Sequence, residues 1–245
     1  KQAIEYGMTA GMMLNCDINR VTTFDKKSYY YPDLPCAYQT TQWFSPVSVN
    51  GTVEIETSKG KKNVRIKQIH IEEDAGKLIH DDWTYTSLVD FNRTSVPLIE
   101  IVSQPDLSSA EEVIAYLKKL RTLLRFARVS DCRFEQGSMR CDVNLSVRPE
   151  GSDKLGIRTE MKNMNSLSAI ERAIEYETAR HIQAIESGSD ELVQETRRWD
   201  DVKGKSYSMR TKETAGDYRY FPDPNVMPVV IDDEWYNRVK ESLPE

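Results

Sequence analysis

The chain has 245 residues, 39% apolar and 29% charged, an ordinary globular balance that argues against a disordered polypeptide. No apolar run reaches the ~18 residues of a membrane span, and residues 1–14 lack the layout of a signal peptide, so a soluble cytoplasmic protein is expected. The net charge of −6 excludes broad electrostatic coating of nucleic acid while leaving room for a local basic track.

In chain order, Ile4, Met8, Met12 and Leu14 fall near helical spacing, which predicts an amphipathic helix over residues 1–14. The abrupt start inside this helix reads as the beginning of a fragment. Pro32 to Pro35 is a connecting loop. Val47 to Thr57 and Asn63 to Glu72 alternate apolar and polar residues around Lys59-Gly60-Lys61, a hairpin signature, and Thr84 to Asp90 and Val96 to Val102 read as further strands. Ser108-Ser109-Ala110-Glu111-Glu112 opens a helix ending near Ala127, with a serine cap and early acids at its positive end. Arg140 to Val147 and Arg158 to Asn163 read as partner strands, Ser166 to Glu186 as a second long helix closed by Gly188, and Val193 to Trp199 and Ser206 to Arg210 as strands before an aromatic, proline-rich loop over Asp217 to Pro228. Strand groups interrupted by two long helices favour an α+β domain on a mainly antiparallel sheet, taken as one domain over 1–245. The four cysteines, Cys16, Cys36, Cys132 and Cys141, lack Cys-x-x-Cys spacing and are expected as free thiols.

Three acidic clusters could carry chemistry. In His70-Ile71-Glu72-Glu73-Asp74 at a strand end, alternation sends His70 and Glu72 to one face and Glu73 to the other. Consecutive acids repel unless solvated or neutralised, and magnesium suits such a site because it prefers hard oxygen ligands while holding substrate phosphates. Glu100 stands alone in the apolar strand Val96 to Val102; a buried carboxylate there needs a metal or an arginine opposite. Asp142 and Asn144, two apart, share a face. Acids on separate strands are what a magnesium–ATP site on a sheet requires, although acidic loops are more often simply solvated. His80 and His181 have no metal-ligand spacing and read as surface histidines. Neither a Walker phosphate loop nor a Gly-x-Ser-x-Gly elbow is present. Tyr29-Tyr30-Tyr31 and Asp217-Tyr218-Arg219-Tyr220-Phe221-Pro222 interleave aromatics with cations, which suits base stacking and equally suits packing at a sheet edge.

Phe24 to Lys27, Tyr29 to Pro35, Tyr38-Gln39, His70 to Lys77, Ser87 to Asp90 with Asn92-Arg93, Pro97 to Ser103, Gly137 to Asn144, Lys162-Asn163, Gln194 to Arg197 and Asp217 to Pro222, in this order, resemble the B subunit of aspartyl/glutamyl-tRNA amidotransferases along essentially the whole chain. The resemblance implies a glutamine-synthetase-like cradle that uses ATP and Mg2+ to phosphorylate the side-chain carboxylate of Glu-tRNA(Gln) or Asp-tRNA(Asn). Ammonia from an amidase-type A subunit would then displace phosphate, with a small C subunit clamping the pair. It makes Glu73, Glu100 and Asp142 the expected catalytic metal ligands, with His70, Asn144 and Lys77 at the ATP site, Lys27 on the ammonia path, and Arg219, Lys162 and Tyr30 toward tRNA. Relatives begin with a Glu-x-His strand and end in helical and tail domains that grip tRNA; neither is found here, so a core fragment is expected. Cys36 stands where relatives commonly have lysine, and Glu135-Gln136 where many have two glutamates. A tRNA-binding scaffold and a stand-alone carboxylate–amine ligase are the competing expectations.

Overall fold

A computed structural model describes residues 1–81, 83–189, 192–211 and 218–244. In chain order the elements are α1 (Gln2–Met13), β1 (Asp17–Ile18), β2 (Val21–Thr22), β3 (Asp25–Ser28), β4 (Tyr38–Thr41), β5 (Ser48–Thr57), β6 (Gly60–Glu73), β7 (Lys77–Asp81), β8 (Thr86–Asp90), β9 (Pro97–Ser103), α2 (Ala110–Phe126), β10 (Val143–Leu145), β11 (Thr159–Lys162), α3 (Leu167–Ser187), β12 (Glu195–Asp200), β13 (Lys205–Thr211), β14 (Phe221–Pro222), β15 (Val229–Val230) and α4 (Asp233–Glu241). Contacts divide them into two compact units, Lys1–Glu54 with Asn63–Asp106 and Thr214–Glu245, and Ile55–Lys62 with Leu107–Glu213.

The first unit is built on the sheet β1-β5-β6-β9. Helix α1 lies close over it because two of its positions have no side chain: a Cβ on Gly11 would sit 2.7 Å from Ser48 Oγ, and one on Gly7 3.1 Å from Ile71 Cδ1. Ile4, Met8, Val47, Ile69 and Ile71 fill the space beneath. Along β6 the buried apolar residues are Val64 and Ile66, then Ile69 and Ile71, so the phase changes from even to odd. The pairing of β6 with β9 slips between Ile66 and Gln68, and one extra residue in a strand turns every later side chain to the opposite face. Smaller ladders complete the unit: β14-β3-β4, β15-β2 and the hairpin β7-β8. Helix α4 rests against α1, where Trp235 Nε1 and Arg238 Nη2 donate to Glu5 Oε1 at 2.9 and 2.6 Å. Its signals are in the sequence, an Asp232 cap, acids in the first turn and bases in the last, yet the reading above stopped before it.

The second unit holds the sheet β10-β11-β12-β13. Ser109 and Ser166 cap α2 and α3 as expected, and Gly188 closes α3 at φ 64°. Leu117, Leu120 and Leu124 of α2 and Ile170, Ala173 and Ile174 of α3 are buried where these helices pack together. Strand β10 is confined to Val143–Leu145, shorter than the alternation from 140 to 147 suggested, so Cys141 and Asp142 precede it. Strands β11 and β12 are parallel and joined through α3, one βαβ crossover within an otherwise antiparallel set. With four helices and mostly antiparallel sheets among the described residues, the chain is a mixed α and β protein.

Candidate active site

The register slip in β6 decides which side chains leave the core. With Ile69 and Ile71 buried, His70 and Glu72 must face the other side, and cross-strand pairing sets His70 directly opposite Glu100 of β9. His70 Nε2 lies 3.1 Å from Glu100 Oε2 and 3.5 Å from Glu72 Oε2, and ligand atoms of all three lie within 4.8 Å of one another. Gln68 Nε2 sits 3.4 Å from His70 Nδ1 on the far side of the ring. Burial pushes the His70 pKa down, but hydrogen bonds and the fields of Glu100 and Glu72 outweigh it and lift the imidazole to about 9. The two carboxylates thus favour the protonated imidazole, and a cation taking Nε2 would have to displace that proton. Burial, with the fields of Tyr218, Glu72 and Glu100, raises the pKa of the Tyr220 phenol above the ordinary range, and its ring stacks on Trp43 at 4.3 Å.

The run of acids after His70 is dispersed rather than pooled. Glu73 turns away from Glu72 and its Oε2 accepts from the Thr40 N–H at 3.1 Å, while its carbonyl accepts from Gln39 Nε2 at 2.6 Å. Asp74, 5% exposed, pairs with Arg93 at 2.8 Å. The group that joins His70 and Glu100 is thus Glu72, where the sequence reading had put Glu73. Glu100 also departs from expectation: its side chain is 51% exposed, because β9 shows this face to solvent, and the partner opposite is a histidine instead of an arginine.

Other expected residues gather in two further places. In the first unit Lys27 lies 4.8 Å from the Tyr218 ring and 5.5 Å from the Tyr29 ring. Tyr30 and Arg219 line a cavity of about 380 Å³ with Ser28, Ala37, Tyr38 and Phe221. Lys77 opens β7 opposite Asp90, and Asp217 lies outside the described residues. In the second unit Asp142 Oδ2 is 2.6 Å from Lys162 Nζ, which is also 3.7 Å from Glu160, and Asn144 pairs in register with Glu160.

Sequence reasoning missed a buried charge network beneath α3. Glu177, fully buried, meets Arg180 Nη2, His181 Nε2 at 3.5 Å and Ser206 Oγ at 2.8 Å. Glu195 takes Arg197 Nη1 at 2.7 Å and Arg180 Nη2 at 3.5 Å. Burial opposes ionisation of Glu177, yet the hydrogen bonds from His181, Arg180 and Ser206 hold its pKa down to about 2. His181 is accordingly no surface histidine: it is 1% exposed and shares a hydrogen bond with Thr159 Oγ1 at 2.9 Å. Glu177 and His181 stand four apart on the apolar stripe of α3, a signal that was available.

A fold of mixed sheets with a histidine–carboxylate cluster at a strand end fits an enzyme domain, and comparison with known proteins gives the class. The chain belongs to the GatB/GatE catalytic domain family, whose model matches residues 1–237. Among individual proteins it is similar to the B subunits of aspartyl/glutamyl-tRNA(Asn/Gln) amidotransferases. Identity is 56% to the one from Caldicellulosiruptor bescii, 56% to that of Agathobacter rectalis and 52% to that of Thermoanaerobacter pseudethanolicus, in each case over the whole chain and 51% of the relative. The chain spans about half the length of the curated relatives it matches. No helix among the described residues is long and apolar enough to cross a membrane.

Proposed function

We propose that the chain is the catalytic region, a glutamine-synthetase-like cradle domain over residues 1–245, of an amidotransferase B subunit of the cytoplasm. It would activate the side-chain carboxylate of Glu-tRNA(Gln), Asp-tRNA(Asn) or both with ATP, for amidation by ammonia from an A subunit held by a C subunit. The family match over 237 of 245 residues supports the class. The observation that carries the chemistry is the convergence of His70, Glu72 and Glu100.

The donor set fits a divalent cation. Two carboxylates supply hard oxygens, Nε2 of His70 already points at both, and the half-exposed Glu100 leaves a side open toward substrate. His70, Glu72 and Glu100 would hold Mg2+, which when bound offsets negative charge on a transferring phosphoryl group. Gln68 orients the ring, and Tyr220, stacked on Trp43, lies within the fields of Glu72 and Glu100. Asp142, Asn144 and Lys162, with Lys77, are assigned to nucleotide and substrate contacts, Lys27 to the ammonia path, and Tyr30 and Arg219 to tRNA. Glu73 braces the strand end through Thr40 in this reading.

The test uses full-length protein assembled with its A and C subunits and both mischarged tRNAs, with and without magnesium. Amide formation is expected to need magnesium and to be lost in Glu100→Gln, while glutamine hydrolysis persists. Normal amidation by that variant would remove the phosphorylating role and favour a scaffold whose chemistry lies in a partner.

A further inference from the structure

The sheet of the second unit has two unlike faces. Met161 and Trp199 are buried on the side of α3, where Ser206 also reaches Glu177. On the other side Lys162, Arg198 and Tyr207 stand directly opposite one another on three neighbouring strands, because Lys162 pairs with Arg198 and Arg198 with Tyr207. The register shift between Thr196 and Arg197 falls just before this row, where a bulge re-aims side chains. Lys162 is held by Asp142 and Glu160. Arg198 and Lys203 are not so held: both are exposed, neither has a carboxylate partner among the described residues, and their charges lie 5.9 and 5.5 Å from the ring centre of the half-buried Tyr207. Asp200, the nearest acid in the turn, accepts from the backbone N–H of Lys203 at 3.0 Å.

In a chain of net charge −6, two uncommitted cations around one aromatic ring mark a site for an anionic, stackable ligand. A small nucleotide would need a concave pocket around it, whereas Arg198 and Lys203 stand in the open. Duplex RNA presents no free base face to a ring, but an unpaired strand offers both base and phosphates, and a flat sheet with an aromatic is a surface such strands use. We infer that Arg198, Lys203 and Tyr207 form a platform for a single-stranded RNA segment, one base stacking on Tyr207 and the flanking phosphates meeting the two cations. The inference rests on the reading of this chain as acting on tRNA and names residues for that contact.

The experiment measures binding of uncharged tRNA, intact or trimmed of its single-stranded 3′ terminus, to the full-length protein assembled with its partner subunits. For intact tRNA, Tyr207→Ala is expected to weaken binding roughly tenfold while Tyr207→Phe, which keeps the ring, binds as wild type. Arg198→Gln with Lys203→Gln should lower the slope of log affinity against log salt by about 1.4, at about 0.7 for each lost single-strand phosphate contact. Trimmed tRNA should bind all variants equally. Unchanged affinity and slope for intact tRNA, an equal loss on trimmed tRNA, or a raised KM for ATP with tRNA affinity intact would each overturn the platform. Wild-type protein that fails to bind tRNA at all would overturn the proposed function with it.

Discussion

Two clusters in this protein are made of the same groups, carboxylates with histidine, and differ in how their charge is met. Around Glu177 and Glu195 two arginines, a histidine and a serine match the two acids, and Glu177 is wholly shielded from water. Around Glu72 and Glu100 the one cation is His70, and Glu100 is half exposed. A closed and balanced network stabilises a fold, because each charge has lost its water and gained a partner. An open cluster with surplus negative charge is suited to receive a cation. In the proposed reading, compensation, more than residue type, separates the structural acids from those assigned to the cation.

The largest effect that sharpens this contrast is on turnover. Glu72→Gln should lower amide formation by at least about 100-fold, the scale of losing one electrostatic group at a reacting centre, while glutamine hydrolysis is spared. Glu73→Gln in the same assay is the discriminating partner, and a loss as deep as that of Glu72→Gln would break the comparison. Stability should respond in the opposite place. Glu177→Gln leaves Arg180 only its longer carboxylate contact to Glu195 and should cost about 3 kcal/mol in urea unfolding followed by the fluorescence of buried Trp199, whereas Glu100→Gln should change stability by less than about 0.5 kcal/mol. A Glu177→Gln protein as stable as wild type would make the network ornamental.

Acid supplies a third probe. A glutamate in the unfolded chain takes its proton near 4.5, whereas Glu177 in the folded chain holds off protonation to about 2. The folded-state pKa is the lower one, so this stabilisation is complete above 4.5 and is lost as pH falls from there through about 2. Wild type should therefore lose thermal stability more steeply below pH 4.5 than Glu177→Gln does; parallel curves would contradict the assignment. The smallest effect belongs to the helix caps: Ser109→Ala and Ser166→Ala each remove an acceptor for an N-terminal N–H and should cost about 1 kcal/mol in the same unfolding assay.

What could be read without coordinates followed from local rules. The caps of α2 and α3, the glycine closing α3, the hairpin turn at Gly60 and the antiparallel pair β10-β11 all rest on patterns a few residues long, and they were legible. The short strands between Asp17 and Thr41 were not, since three of the four pair with segments far along the chain. At the site, alternation correctly set Glu72 beside His70 and Glu73 opposite. It could not show that Thr40 would occupy Glu73 or that Glu100 would land across from His70, because both depend on long-range register. His181 was misread because a polar residue on an apolar stripe was taken as exposed, when a buried acid one turn away was its partner.

The ladders that join Phe221 to Lys26 and Val229 to Thr22 bear on how the chain is born. The second unit, apart from the hairpin tip at 55–62, is a single stretch that ends at Glu213, so its contacts are nearly all present once that residue has left the ribosome. The first unit begins with Lys1 but cannot close its ladders until Val230 emerges. Synthesis thus leaves the edges of β2 and β3 exposed while roughly two hundred further residues are added, a waiting period in which a chaperone or an assembling partner has access to them before the native strands do.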